Sequence, residues 1–331
     1  MDQENINLTI SCSPHIHAPD NTRSIMLDVV IALIPAMLGA GFFFGLRALM
    51  VMAVSVAGCV FFEWLYRFLL KKDQTLGDCS AIVTGLLLAL VCPATIPYWA
   101  ILIGDFFAIV VVKQLFGGIG CNFLNPALAG RAFLFSYPVM MTTWVKVGTK
   151  LSLFGSNADA VTSATPLSYL HQGLLPKTGL LDCFIGTVGG SMGETSAILL
   201  LVGLLYLLVR KVVSLRIPLS FVATVAVIAL VFPQGNDRLL WTGYQVLSGG
   251  LLLGAIFMAT DYATSPVTKL GQIIYGVGCG VITMAIRYLG AYPEGVSYAI
   301  LIMNVTVFLL DKVGMPRRFG AGKRKKEAAG K

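Results

Sequence analysis

Ten apolar runs mark the chain, at about 25–45, 49–70, 80–96, 98–116, 125–143, 193–209, 217–232, 244–260, 270–289 and 296–311. Each approaches the roughly twenty residues that a helix needs to cross the hydrocarbon core. Backbone groups in lipid must be satisfied within their own segment, so each run is predicted to be a helix. The run at 125–143 carries Pro126, Arg131 and Pro138 and is the least regular of the ten. The stretch 144–192 is rich in Gly, Ser, Thr and Asn and reads as a loop domain. The expected fold class is an all-α integral membrane protein with about ten transmembrane helices.

One segment echoes another. Thr84-Gly85-Leu86-Leu87-Leu88-Ala89, followed by Ala94-Thr95, resembles Gly249-Gly250-Leu251-Leu252-Leu253-Gly254, followed by Ala259-Thr260, at a constant offset. The copies fall in the third and eighth runs. With an odd number of intervening spans, the two halves are expected to be inverted repeats, an architecture that builds sites where helices break. The predicted organisation is an N-terminal segment 1–24, a five-helix half 25–143, the outward loop 144–192, a second five-helix half 193–312 and a basic tail 313–331.

Composition agrees with a membrane protein: 56% of residues are hydrophobic and 12% charged, against roughly a quarter charged in soluble domains. The net charge of +8 comes from basic residues beside apolar runs. It is therefore read as topology, with the lipid bilayer rather than nucleic acid as partner. Threading ten spans from a cytoplasmic N-terminus puts sixteen of the 24 Lys and Arg inside, six outside and two, Arg67 and Arg131, within spans. The positive-inside rule then expects a multi-pass protein of the cell inner (plasma) membrane, with cytoplasmic termini and an extracytoplasmic 144–192 loop. Residues 1–20 show neither a basic n-region nor a small-residue cleavage site. The seven cysteines are scattered without a C-x-x-C pair, and the three histidines are dispersed. No metal site is expected. Among charges near the spans, Glu63 and Arg67 are spaced to neutralise each other on one helix. Asp105 lacks such a partner and is a candidate for an ion path or for a pairing with another helix.

The loop holds Asp159-Ala160-Val161-Thr162-Ser163-Ala164-Thr165-Pro166-Leu167. By composition this is a Ser/Thr-rich turn, with Pro166 holding Thr165 extended. It also resembles the acceptor motif of flavinylated proteins, in which the last Thr takes FMN through a phosphoester bond. Asp159, Thr162, Ala164 and Thr165 match in type and spacing, and Ser163 stands where Gly is common. Trp144, Tyr169, Lys146 and Lys150 are near enough in sequence to contact such a group.

Further segments resemble one family in order: Ser13-Pro14-His15, Ile25-Met26-Leu27-Asp28 with Ala32-Leu33-Ile34-Pro35-Ala36, Gly117-Gly118-Ile119-Gly120 with Asn122 and Asn125-Pro126-Ala127-Leu128-Ala129-Gly130-Arg131, and Ala259-Thr260-Asp261 with Ser265-Pro266-Val267-Thr268. They resemble the RnfD family, the D subunits of the Rnf ion-translocating electron-transport complex, over residues 13 to about 312. The resemblance implies a membrane component of a ferredoxin:NAD⁺ oxidoreductase, catalytically incomplete alone. It would pass electrons between covalent FMN at Thr165 and a non-covalent riboflavin, coupled to Na⁺ or H⁺ transport. The riboflavin positions matched are Asn122, Asn125 and Asp261; the alternative is that the asparagines cap a broken helix at Pro126 and Asp261 sits in an interfacial loop. Implied partners are a flavin transferase and the other Rnf subunits, including iron–sulfur subunits and a second one with covalent FMN. Two other readings remain. One is the NqrB-type component of Na⁺-translocating NADH:quinone reductase, which usually has a longer N-terminal segment. The other is a stand-alone channel or secondary transporter, which has no use for a flavinylation motif.

Overall fold

The computed structural model describes residues 21–149, 151–153, 163–194, 196–235 and 237–315. Among them every regular element is helical. All ten apolar runs contain helix, but among the described residues only four helices are long and apolar enough to cross a membrane alone: α1 (Thr22–Phe44), α2 (Leu46–Leu69), α13 (Lys269–Leu289) and α14 (Val296–Gly314). A fifth crossing would combine α11 (Arg238–Leu247) with Leu251–Met258, two pieces bent by 58°. Leu251–Met258 is itself α12 (Leu251–Leu253) continued by a π-helical turn, Gly254–Met258.

Local chemistry sets these boundaries. The α1 helix starts at Asn21, whose side chain accepts from Ser24 N while the Ser24 hydroxyl accepts from Asn21 N, a reciprocal N-terminal cap. Gly45, at φ 76°, makes the corner into α2, a conformation that favours glycine. Helix α3 (Ser80–Leu90) stops short of Pro93, and α4 (Tyr98–Phe106) runs straight into a π-helical segment, Phe107–Gln114. The irregular fifth run is α5 (Pro126–Leu134) and α6 (Pro138–Met141), each with proline in its first turn, where a missing N–H costs nothing. Two short helices, α7 (Pro166–His171) and α8 (Leu180–Ile185), interrupt the predicted loop. After them come α9 (Ala197–Val209) and α10 (Arg216–Val231).

In the first half α2 packs on both α3 and α4; in the second α10 packs on α11 and α13. Helix α9 lies against α1. A Cβ on Gly203 of α9 would run into the Ala32 carbonyl oxygen of α1, and one on Gly85 of α3 would stand 2.9 Å from Ser55 O of α2. Small residues let backbones approach where lipid supplies no hydrophobic drive between helices. The outer faces are apolar: Leu38, Phe42, Leu69, Leu205, Val209 and Phe308 are all exposed, the distribution expected of surfaces solvated by lipid.

The buried charges pair across the fold. Lys113 Nζ meets Glu63 Oε2 at 2.7 Å, and Arg67 turns to Gln114 Oε1 and the Asp73 carbonyl. The i,i+4 neutralisation of Glu63 by Arg67 is thus replaced by a contact fifty residues away in sequence. Asp105 is fully buried; its Oδ1 accepts from Ser55 Oγ and Cys59 Sγ, and its Oδ2 has no partner among the described residues. No cluster of potential metal ligands occurs among those residues.

Candidate cofactor cavities

Three short helices, α3, α5 and Leu251–Met258, border one cavity, and a second cavity lies beyond the other end of Leu251–Met258. The first cavity, about 720 Å³ including its open mouth, is walled by Ser80, Val83, Thr84 and Leu87 of α3, Asn125–Ala127 at the start of α5, Ile256 and Phe257 of the π-turn, and Thr260–Ala263 after it. The second, about 510 Å³, lies between Thr165–Leu167, Val188–Ser191, Leu247–Gly249 and the Pro293–Glu294 connection. The C-terminal end of α3 reaches this side: the Leu90 and Cys92 carbonyls accept from Gly193 N and Met192 N. Helix α3 therefore runs from the first cavity to the second, whereas Leu251–Met258 runs from the second to the first.

Asn122, Asn125 and Asp261 all line the first cavity. Asn125 is also the N-cap of α5: its Oδ1 accepts from Ala127 N and Leu128 N, and its Nδ2 donates to Met258 O at 3.2 Å. The capping alternative holds for this residue, whose amide ties α5 to the π-turn. Asn122 Nδ2 donates to Leu124 O. Asp261 sits in the connection after Met258, where its Oδ2 accepts from Thr264 Oγ1; burial pushes its carboxyl above the usual range, against the Thr264 hydrogen bond. Lys113, counted in the sequence only as a topological charge, also faces this cavity and donates to Ser80 Oγ at 2.6 Å. Apolar walls with a few converging amide, carboxyl and ammonium groups suit a planar ligand with a polar edge.

Thr165 lines the second cavity. Its hydroxyl is half-buried and accepts from Ser168 N at 3.3 Å, so Thr165 is the N-cap of α7 rather than part of a free turn. Ser163 N donates to Trp144 O at 2.7 Å, and Trp144 forms part of the wall. Ala164 and Lys146 are exposed; Asp159, Thr162 and Lys150 lie outside the described residues. Three side-chain oxygens in the lining, Ser191 Oγ, Glu194 Oε1 and Ser248 Oγ, are buried without a hydrogen-bond partner among the described residues. Buried polar atoms are normally satisfied, so such a group at a cavity marks a place for a polar ligand or water.

Behind that wall Arg131 grips Glu294 with Nη1–Oε1 at 2.9 Å and Nη2–Oε2 at 2.5 Å, donates to Ser297 Oγ, and stands 3.6 Å from Glu194 Oε1. Arg287 caps the break before α12, donating to the Gln245 and Ser248 carbonyls. Neither glutamate was singled out from sequence, though a buried arginine in an apolar run demands a counter-charge.

A family model described as "NQR2, RnfD, RnfE family" matches residues 9–320. The D subunit of the Na⁺-translocating ferredoxin:NAD⁺ oxidoreductase complex of Acetobacterium woodii is 49% identical, over 98% of both chains. The D subunit of the proton-translocating ferredoxin:NAD⁺ oxidoreductase complex of Clostridium ljungdahlii is 42% identical over 94% of this chain and 96% of its own. The D subunit of an ion-translocating oxidoreductase complex of Stutzerimonas stutzeri is 38% identical over 91% and 93%. This chain belongs to the NQR2, RnfD, RnfE family, on its RnfD branch.

Proposed function

We propose that this protein is the membrane subunit of an ion-translocating ferredoxin:NAD⁺ oxidoreductase complex, passing electrons between a flavin esterified to Thr165 and a second, unattached flavin in the cavity of Asn122, Asn125 and Asp261. The observation that carries the reading is that Asn122, Asn125 and Asp261 line one cavity and Thr165 lines another, with Leu251–Met258 running between them. At no more than about 1.5 Å per residue, the stretch from Gly249 to Ile256 keeps the two linings ~10 Å apart along its axis. The sequence echo gains weight from the opposite directions of its two copies, which is what an inverted repeat requires.

The residues suit the group each site would hold. In the first cavity the Asn122 and Asn125 amides, the Asp261 carboxyl and the Lys113 ammonium can read a ring edge or ribityl hydroxyls. In the second, Thr165 supplies the hydroxyl for the phosphoester, Trp144 an aromatic face, and Ser191 and Ser248 unengaged hydroxyls. A flavin supplies the electron chemistry when bound; the protein supplies position, electrostatics and exclusion of water. Partner subunits would bring the iron–sulfur groups and nucleotide site, and the complex would couple electron flow to Na⁺ or H⁺. The ten-span topology, with Thr165 outside, belongs to the same reading.

The test is in-gel fluorescence of the denatured chain made with its flavin transferase. Thr165→Val should abolish the signal while the protein remains inserted, and Thr162→Val should at most weaken it. A Thr165→Val band as bright as the parent would refute attachment at Thr165, and a parent band without fluorescence would favour the channel reading.

A further inference from the structure

Glu194 and Glu294 lie in the connections before α9 and before α14, outside the helical spans, yet both are enclosed by protein. Their Oε1 atoms converge over Gly250, 2.5 and 2.7 Å from where a Cβ would stand. Two carboxyls so close cannot both ionise cheaply, so one holds a proton. Arg131 decides which, because its guanidinium forks onto both oxygens of Glu294 and reaches Glu194 only at 3.6 Å. Burial and the adjacent Glu294 carboxylate push the Glu194 carboxyl up. Against the raising effect of burial, the Arg131 guanidinium holds Glu294 below its ordinary value. The Nη groups of Arg287 are taken by Gln245 and Ser248 oxygens, and its charge, without a hydrogen bond to either carboxyl, adds to the lowering of Glu294 by Arg131. Burial raises the Cys183 thiol above its ordinary value, and the nearby Cys92 thiol and Tyr298 phenol, like it, belong to groups that are neutral near pH 7. Glu194 Oε1 is also one of the unpartnered oxygens in the wall of the Thr165 cavity. A phosphoester on Thr165 adds negative charge to that cavity, which further favours a neutral Glu194.

We propose that Glu194 is the proton donor and acceptor for the flavin carried on Thr165, an assignment that rests on the attachment proposed above. When an electron arrives from an iron–sulfur or flavin donor of a partner subunit, the Glu194 O–H bond breaks and its proton bonds to a ring nitrogen. The carboxylate left behind is balanced by Arg131. On reoxidation the electron leaves for the next acceptor and the proton returns to Glu194. Glu294 is the positioning residue, holding Arg131 where it can serve either carboxylate.

The experiment is redox-difference infrared spectroscopy on the full chain carrying its covalent flavin, with attachment first read as fluorescence of the denatured band. Reduction should remove a carboxylic-acid C=O band that shifts in D₂O. Glu194→Gln should lose this band with attachment intact, Glu194→Asp should keep it displaced, and Asp105→Asn, altering a buried carboxyl away from this cavity, should leave it unchanged. A band surviving in Glu194→Gln, no band in the parent, or loss of flavin from Glu194→Gln would each overturn the proton role. A parent without covalent flavin would instead show, before any infrared measurement, that the Thr165 reading itself has failed.

Discussion

Replacing Lys113 by Met keeps the length of the side chain and removes its charge. The ammonium now touches Glu63 Oε2 at 2.7 Å and Ser80 Oγ at 2.6 Å, with the two charged side chains 3% and 1% exposed. Removing one partner of a buried ion pair costs ~3–5 kcal/mol, because the other charge is left uncompensated. Glu63 would keep two donors, Thr75 Oγ1 and Gln114 Nε2, each at 2.9 Å. That places the expected loss near the lower end, ~3 kcal/mol, or about two orders of magnitude in the unfolding equilibrium. Adding Glu63→Gln removes the stranded charge and leaves an amide that can still accept from Thr75. The double variant is therefore expected within ~1 kcal/mol of the parent, since buried pairs are often replaceable at little net cost. The assay is unfolding in mixed micelles by a denaturing detergent, followed by tryptophan fluorescence, run as a double-mutant cycle. A loss below ~1 kcal/mol for Lys113→Met, or a double variant as unstable as the sum of the singles, would refute the account of this pair.

Gly203→Ala should destabilise by ~1–3 kcal/mol in the same assay, because the new methyl meets the rigid Ala32 carbonyl; Gly77→Ala, with nothing within 4 Å of its Cβ, should stay within ~0.5 kcal/mol. Asn122→Leu with Asp261→Leu should remove one flavin from acid-extracted protein and leave the covalent one, with Asn125 spared because it caps α5; unchanged extractable flavin would count against the first cavity. Cysteines placed at 165 and 325 should react with impermeant reagents from opposite sides of the membrane, and labelling from one side would end the ten-span model.

The helical runs were legible because an apolar run in lipid has few alternatives to a helix. Breaks were legible where proline wrote them, at Pro126 and Pro138. The break between α11 and α12 falls at Ser248-Gly249-Gly250 inside an unbroken apolar pattern, and hydropathy passes straight over it. Asn122, Asn125, Asp261 and Thr165 were singled out through local motifs, and each lines one of the two cavities. Lys113, Glu194 and Glu294 were not, because the contacts that give them meaning join residues far apart in sequence: Lys113 to Glu63, and Arg131 to a glutamate 163 residues away. Adjacency to an apolar run made Lys113 look like a topology signal. Spacing on one helix made Glu63 and Arg67 look like a pair, when each found a stronger partner elsewhere.

The three short helices also decide what can pass between the two cavities. Leu88, Leu90, Leu128, Leu251 and Leu253 are all essentially inaccessible, so away from the Arg131 cluster the partition is hydrocarbon packed on hydrocarbon. A sodium ion or a proton entering it would lose its water and find nothing in exchange, a penalty of many kcal/mol. An electron carries no hydration shell that must be stripped at each step. Those leucines are thus an insulator for ions, and on the proposed function a cation coupled to the electrons would have to travel by a different route from them.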